Sequence, residues 1–281
     1  MGSGYFVGRV DEDAAAAFAL ATNDHNELYQ TGRATPPLFT ASLVLAASVE
    51  SQHRGGEHQL VKDARGSVHG EHDVLFHQPV RPGMPLRWRA NNHGVKQTKG
   101  GVVVTQRILV TDIEGTPLVE HFWSNFHIGG RVASDLGRSL MDHTFPDGAR
   151  SRPIGSRTIP VARDQGFRYA GVSGDHAPHA MDDEMAREEG YPSKILQGMC
   201  TFGLCSGALV DIGAGGDVFR LRRLAGRFSA PAFPGCDLVV NAYDAGRTPE
   251  GNMAVAFDAV QTSEGIQTAV VKHGRAEFHP I

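Results

Sequence analysis

Two stretches of the chain are apolar on nearly every face at helical spacing. They are LVLAASV at 43–49, within TPPLFTASLVLAASVE, and ILQGMCTFGLCSGALV at 195–210. A helix hydrophobic all round belongs inside a protein, wrapped by other elements. Each stretch is preceded by a shorter helical pattern, at about 11–22 in the first case (Ala-rich) and about 162–172 in the second. Each is followed by short apolar runs with Gly-rich turns such as KGG and IEG between them, the signature of antiparallel strands. The first set covers 60–68, 74–79, 86–95, 102–112 and 117–127; the second covers 218–230, 237–243, 253–261 and 267–278. Between the sets, 129–157 lacks sustained periodicity and is rich in Gly, Pro and Ser, as expected of a linker. The pattern predicts an α+β chain of two similar units, 1–130 and 156–281, joined by a linker at 131–155.

The two units also match in sequence. FHQPVRPGMPL (76–86) and FSAPAFPGCDL (228–238) share five residues at one separation of 152 positions: Phe76 and Phe228, Pro79 and Pro231, Pro82 and Pro234, Gly83 and Gly235, Leu86 and Leu238. Such a constant offset marks an internal duplication. A long central helix wrapped by an antiparallel sheet, present twice, is the tandem (double) hot dog fold.

Composition narrows the partners. At 281 residues, 41% hydrophobic and 21% charged, the chain can bury one large core or two small ones. A net charge of -4 with scattered Lys and Arg offers no footprint for a phosphate backbone, so nucleic acid is not expected. Cys200, Cys205 and Cys236 are odd in number and form no C-x-x-C, which reads as reduced, mostly buried thiols. Asp11, Glu12 and Asp13 interrupt the N-terminal apolar pattern, so no signal peptide is expected. No apolar run approaches bilayer length. The expected setting is cytoplasmic, without a membrane partner.

Candidate chemistry concentrates in SGDHAPHAMDDEMA at 173–186 and in Gln197-Gly198-Met199, where the second apolar helix begins. With these motifs the chain resembles the MaoC-like (R)-specific enoyl-CoA hydratases and related acyl-thioester dehydratases in their double hot dog form, over nearly its whole length. That family carries Gly-Asp-x-Asn-Pro-x-His-x-Asp ahead of the central helix, then His-Gly where the helix starts. Here Gly174, Asp175, Pro178, Asp182 and Gly198 match, while Ala177 replaces Asn, Ala180 replaces the catalytic His and Gln197 replaces the second His. The resemblance implies Asp175 as acid/base and the Gly198 N–H as oxyanion donor, helped by the helix dipole. It leaves the His role vacant. His179 stands one residue earlier, rotated about 100° on a helix, and is kept as a catalytic candidate. His176, Pro178 and Gln197 are candidates for substrate contact.

The first unit serves as an internal control. Its Asn23-Asp24-His25-Asn26-Glu27-Leu28-Tyr29 aligns with 174–180 and keeps Asp and Asn, but has Tyr29 at the His position and Phe39-Thr40 in place of His-Gly. By resemblance this half shapes an acyl pocket, with Tyr29 and Phe39 as contacts. The implied partner is an acyl thioester on coenzyme A or a carrier protein, bound in a tunnel between the halves, and two chains can pair as a homodimer. The reading calls for no cofactor and no metal: His176 and His179 lack a Cys pair or distant His partner. GAGG (213–216) follows the buried helix and reads as a helix stop. DDEMAREEG (182–190) reads as a capped, solvated helix, and no Gly-x-Ser-x-Gly supports a serine hydrolase. The incomplete pair leaves two other readings open: a repurposed pocket for isomerisation or cyclisation of a polyketide-like intermediate, and a noncatalytic acyl-binding subunit.

Overall fold

The computed structural model describes residues 2–54, 60–263 and 265–280. In the first half, β1 (Phe6–Arg9), α1 (Glu12–Ala21), α2 (Glu27–Gln30) and the long α3 (Phe39–Arg54) precede β2 (Ser67–Phe76), β3 (Pro85–Thr98), β4 (Gly101–Thr111) and β5 (Pro117–Ile128), and the short β6 (Leu136–Gly137) follows. In the second, β7 (Pro153–Ile159), α4 (Gln165–Ser173), α5 (Pro178–Met181), α6 (Asp183–Glu188) and the long α7 (Gly198–Ala214) precede β8 (Leu221–Phe228), β9 (Leu238–Arg247), β10 (Met253–Ser263) and β11 (Ile266–Phe278). The fold is α+β in the tandem hot dog arrangement.

One continuous antiparallel sheet runs β1-β3-β4-β5-β2-β8-β11-β10-β9-β7, with β6 attached to β3. Reading outward from the β2–β8 seam, each strand of one half has its counterpart at the same place in the other. The sequence repeat falls on equivalent positions. Gly83 and Gly235 both take positive φ, 78° and 83°, in the turns after β2 and β8, a conformation that favours glycine. Leu86 and Leu238 are both fully buried. At the seam, Glu71 to Leu75 pair with Arg227 to Arg223. Arg223 grips the Asp73 carboxylate with two hydrogen bonds, at 3.0 and 2.8 Å. Both side chains are buried, so each charge depends on the other for the solvation it has lost.

Several elements depart from the sequence expectation. The runs read as separate strands at 60–68 and 74–79 are largely replaced by one strand, β2, which starts only at Ser67. Its centre, HGEHD, looks like a loop because it is polar, yet His72 and Asp73 are buried and partnered on the neighbouring strands β5 and β8. A 3-10 turn occupies Val218–Arg220, so β8 begins later than expected. The edge strands β1 and β7 carry no sequence signal because nearly all their side chains are exposed, which removes the hydrophobic alternation of a half-buried strand. β7 starts inside the segment read as linker. The expectation of two fully enclosed helices holds for α7 and not for α3, where Ala46 and Val49 face solvent. Among the described residues α3 packs on β3, β4, β5, α1 and α4, and its buried positions, Phe39, Thr40, Ala41, Val44, Ala47, Ser48 and Ser51, run along one face.

Candidate active site

The second-half motif hangs between two helix ends. Helix α4 stops at Gly174, which takes a left-handed φ of 72° and turns the chain toward the start of α7. The next residue, Asp175, donates its N–H to Ser173 Oγ (3.1 Å) and accepts the Ala177 N–H on Oδ1 (3.2 Å), which fixes the carboxylate in a tight turn. It is half-buried, and that burial raises its pKa against the opposing pull of the Ala177 N–H, His179 and His176. Gln197, the residue before α7, is 2% exposed. Its Nε2 donates to Asp175 O (3.0 Å) and Gly166 O (3.1 Å), stapling the motif loop to α4 and to the head of α7. Gly198 opens α7, and no side chain caps that end. Its backbone lies against the Phe228 ring.

The structure joins Asp175, through its backbone, to Gln197 at the head of α7, and both histidines lie near enough to pull on the Asp175 charge without bonding it. His176 is exposed. His179 bonds Glu189 through Nδ1 (2.8 Å) and packs edge-on to Tyr191. Pro178 is exposed at the first position of α5, and Ala180 is buried with no functional group to offer. In the first half, Phe39 is a core residue, edge-on to Phe18, which in turn meets Tyr169 of α4. Tyr29 is buried with its hydroxyl toward Asp24, and burial together with that charge holds it protonated.

Asp24 repeats the geometry of Asp175. Its Oδ1 accepts the Asn26 N–H at 3.2 Å, and burial raises its pKa. A cavity of about 630 Å³ opens beside it, between the 23–26 loop, the 157–162 segment and the Leu204–Gly207–Ala208 face of α7. Both halves form this cavity, and Asp24, not Asp175, lines it. The carboxylate approaches α7 where residue 207 is glycine: a Cβ there would stand 2.8 Å from Asp24 Oδ2.

A chain of three histidines, which the hydrophobic pattern does not mark, lies at the seam. His69 Nε2 meets His72 Nδ1 (3.1 Å), His72 Nε2 meets His121 Nδ1 (3.0 Å), and His121 Nε2 meets Thr40 Oγ1 (2.9 Å). Trp123, Phe202 and Phe228 sheathe it. Burial pushes His69 and His121 down to about 3; His72 falls well below its usual value through burial and its two neighbours. All three are neutral at physiological pH. The one signal in the sequence was HGEH, whose two histidines a regular strand would place on opposite faces. A register shift between His69 and Glu71 lets them meet.

Residues 148–264 match the family model of the MaoC like domain. The 3-hydroxyacyl-thioester dehydratase Y of Mycobacterium tuberculosis is 35% identical over 209 residues, covering 73% of this chain and 69% of that protein. The chain belongs to the MaoC-like hydratase/dehydratase family. Another relative is a probable enoyl-CoA hydratase 2 of Dictyostelium discoideum, 28% identical over 60% of this chain and 57% of its own length. The fold of this MaoC-like chain is also that of a MaoC-like dehydratase from Phytophthora capsici, with TM-score 0.83 and 21% identity over 100% of this chain and 96% of the other. Family membership carries hydratase/dehydratase chemistry on acyl thioesters in general terms.

Proposed function

We propose that the chain hydrates 2-enoyl thioesters with (R) specificity, or runs the reverse dehydration, on acyl groups carried by coenzyme A or a carrier protein. The observation that carries this reading is the stapled loop of Asp175: Gln197 ties its backbone carbonyl to an uncapped helix start, and the same residue carries a half-buried carboxylate of raised pKa. A carboxylate whose pKa moves toward neutrality is better suited to take and return a proton. In the proposed reaction Asp175 takes a proton from water as its oxygen attacks C3. Negative charge builds on the thioester oxygen, which accepts the Gly198 N–H, and Asp175 then gives its proton to C2, which completes the addition of water and restores the carboxylate. The names of the relatives, a 3-hydroxyacyl-thioester dehydratase and enoyl-CoA hydratases, agree with this chemistry.

Losing one positioned acid or base costs about 10² to 10⁴ in rate. The engagement of His179 by Glu189 therefore favours a second reading, in which Asp175 promotes isomerisation or cyclisation without a histidine. Crotonyl and longer 2-enoyl thioesters separate the two. Conversion to (R)-3-hydroxyacyl product by the unaltered protein, rising in Ala177→Asn/Ala180→His, supports the hydratase. Conversion that begins only in the double variant supports the repurposed pocket or a noncatalytic acyl-binding subunit.

A further inference from the structure

The cavity of about 630 Å³ beside Asp24 is separate from the Asp175 loop: no residue between 173 and 198 lines it. Its walls are held by bonds between the halves. Asn23 Nδ2 donates to Pro160 O (2.8 Å) and Gln165 Oε1 (3.1 Å), and Asn26 Nδ2 donates to Gly216 O, just past α7 (2.8 Å). The loop that carries Asp24 is thus pinned to the second half on both sides. A cavity of this size, formed in advance, suits a small organic molecule, and little ordering is left for that molecule to impose.

The lining is uneven in its chemistry. Leu204, Gly207 and Ala208 share one face of α7, and with Ile159 and Val161 they give the cavity an apolar floor. The two arginines in the wall already have partners: Arg157 pairs with Asp211, and Arg168 with Asp164 at 2.9 Å. Asp24 makes no ion pair among the described residues. Its Oδ1 accepts the Asn26 N–H, the Tyr29 hydroxyl lies toward it, and Arg157 and His25 act on its charge from farther away. Burial has taken water from this carboxylate without bringing a cation into contact, an arrangement that costs free energy until a donor or a cation arrives.

We propose that the cavity is a binding site for a small organic ammonium ion, with the charged end on Asp24 and a short apolar body along the Leu204–Ala208 face of α7. An anion would meet the Asp24 charge with no unpaired arginine to hold it. A neutral apolar molecule would cover the floor and leave the carboxylate unsolvated. An ammonium group supplies donors and charge together, and such charge-assisted hydrogen bonds are the strong ones. Leu204 to Ala208 spans about 6 Å of helix, the length of a short alkyl chain. The site is independent of the thioester reading.

Isothermal titration of the full chain with hexylammonium chloride tests this, with ammonium chloride, hexanol and hexanoate as comparison probes. Hexylammonium is expected to bind at a single site, and each comparison probe at least about 10-fold more weakly. Asp24→Asn keeps an acceptor for the Asn26 N–H and removes the charge, so the Kd for hexylammonium should rise about 10-fold to 10²-fold. Asp175→Asn should bind hexylammonium as the unaltered protein does. Thermal unfolding shows whether each variant is folded; the probe series uses the unaltered protein and decides the matter if Asp24→Asn does not fold. The site is overturned by absence of hexylammonium binding, by hexanol or hexanoate binding equally well, or by an unchanged Kd in folded Asp24→Asn. Binding lost in Asp175→Asn and kept in Asp24→Asn puts the ammonium at the other loop and overturns it too. Ammonium chloride binding as tightly as hexylammonium contradicts the part given to the apolar floor.

Discussion

The central helices α3 and α7 occupy equivalent places in a duplicated fold and live in different surroundings. Helix α7 is enclosed along most of its length, from Met199 to Val210, whereas α3 buries one face and shows Ala46 and Val49 to solvent. The loops ahead of them differ as well. The Asp175 loop is stapled to the head of α7 by Gln197, while the Asp24 loop lies across the middle of α7, against Gly207, beside the large cavity. A duplication thus gives two carboxylates the same local turn and different neighbours. In the second half the backbone of the carboxylate's own residue is stapled to an uncapped helix start; in the first the carboxylate is docked on the partner half's helix.

The seam is where the comparison is easiest to break. Arg223→Leu leaves Asp73 buried and unpaired, an expected loss of about 3–5 kcal/mol, read from the denaturant midpoint. One unfolding transition is expected, since a shared sheet makes the halves one unit; two separated transitions contradict that. Next come the helices. Leu204→Ala in α7 removes a fully buried side chain and should cost about 2–5 kcal/mol, whereas Val49→Ala in α3 should stay within about 0.5 kcal/mol. Equal losses in thermal or chemical unfolding contradict the difference in cover.

Two smaller effects sharpen the same contrast. Gly207→Ala pushes against the Asp24 carboxylate and is expected to cost about 1–3 kcal/mol. Gly198→Ala meets Phe228 only at ordinary contact distance and should be close to neutral in stability. The smallest concerns His143, which binds Glu71 across the seam. Burial lowers the His143 pKa, but the Glu71 carboxylate overrides it and the net shift is upward. Burial raises that of Glu71, but His143 and Arg227 override it and the net shift is downward. A raised His pKa stabilises the fold below its unfolded value and loses that contribution as pH rises through the folded value. A lowered Glu pKa stabilises above its unfolded value and loses it as pH falls through the folded one. The latch should therefore hold best between the unfolded values of the two groups, about pH 4.3 to 6.5. His143→Gln should flatten the stability–pH profile by on the order of 1 kcal/mol, and an unchanged profile counts against the latch.

Much of this was legible in the sequence, and for physical reasons. The repeat at 76–86 and 228–238 survives because Gly83 and Gly235 need positive φ and Leu86 and Leu238 fill equivalent core positions. The Asp175 loop was legible because Gly174 and Gly198 mark where the backbone must turn and start a helix. The histidine chain was not. Its links join positions as far apart as 40, 72 and 121, and hydropathy scores each as an exposed polar residue when pairing is what allows its burial. The exposure of Val49 was equally hidden, since an apolar helix does not record how many sides its neighbours cover.

The most direct measurement compares two single substitutions in one assay: hydration of a 2-enoyl thioester by Asp175→Asn and Asp24→Asn against the unaltered protein. Asp175→Asn is expected to lose about 10²-fold or more in kcat/KM, and Asp24→Asn to stay within about threefold. The opposite order, or equal losses at both positions, would contradict the placement of the chemistry in the second half.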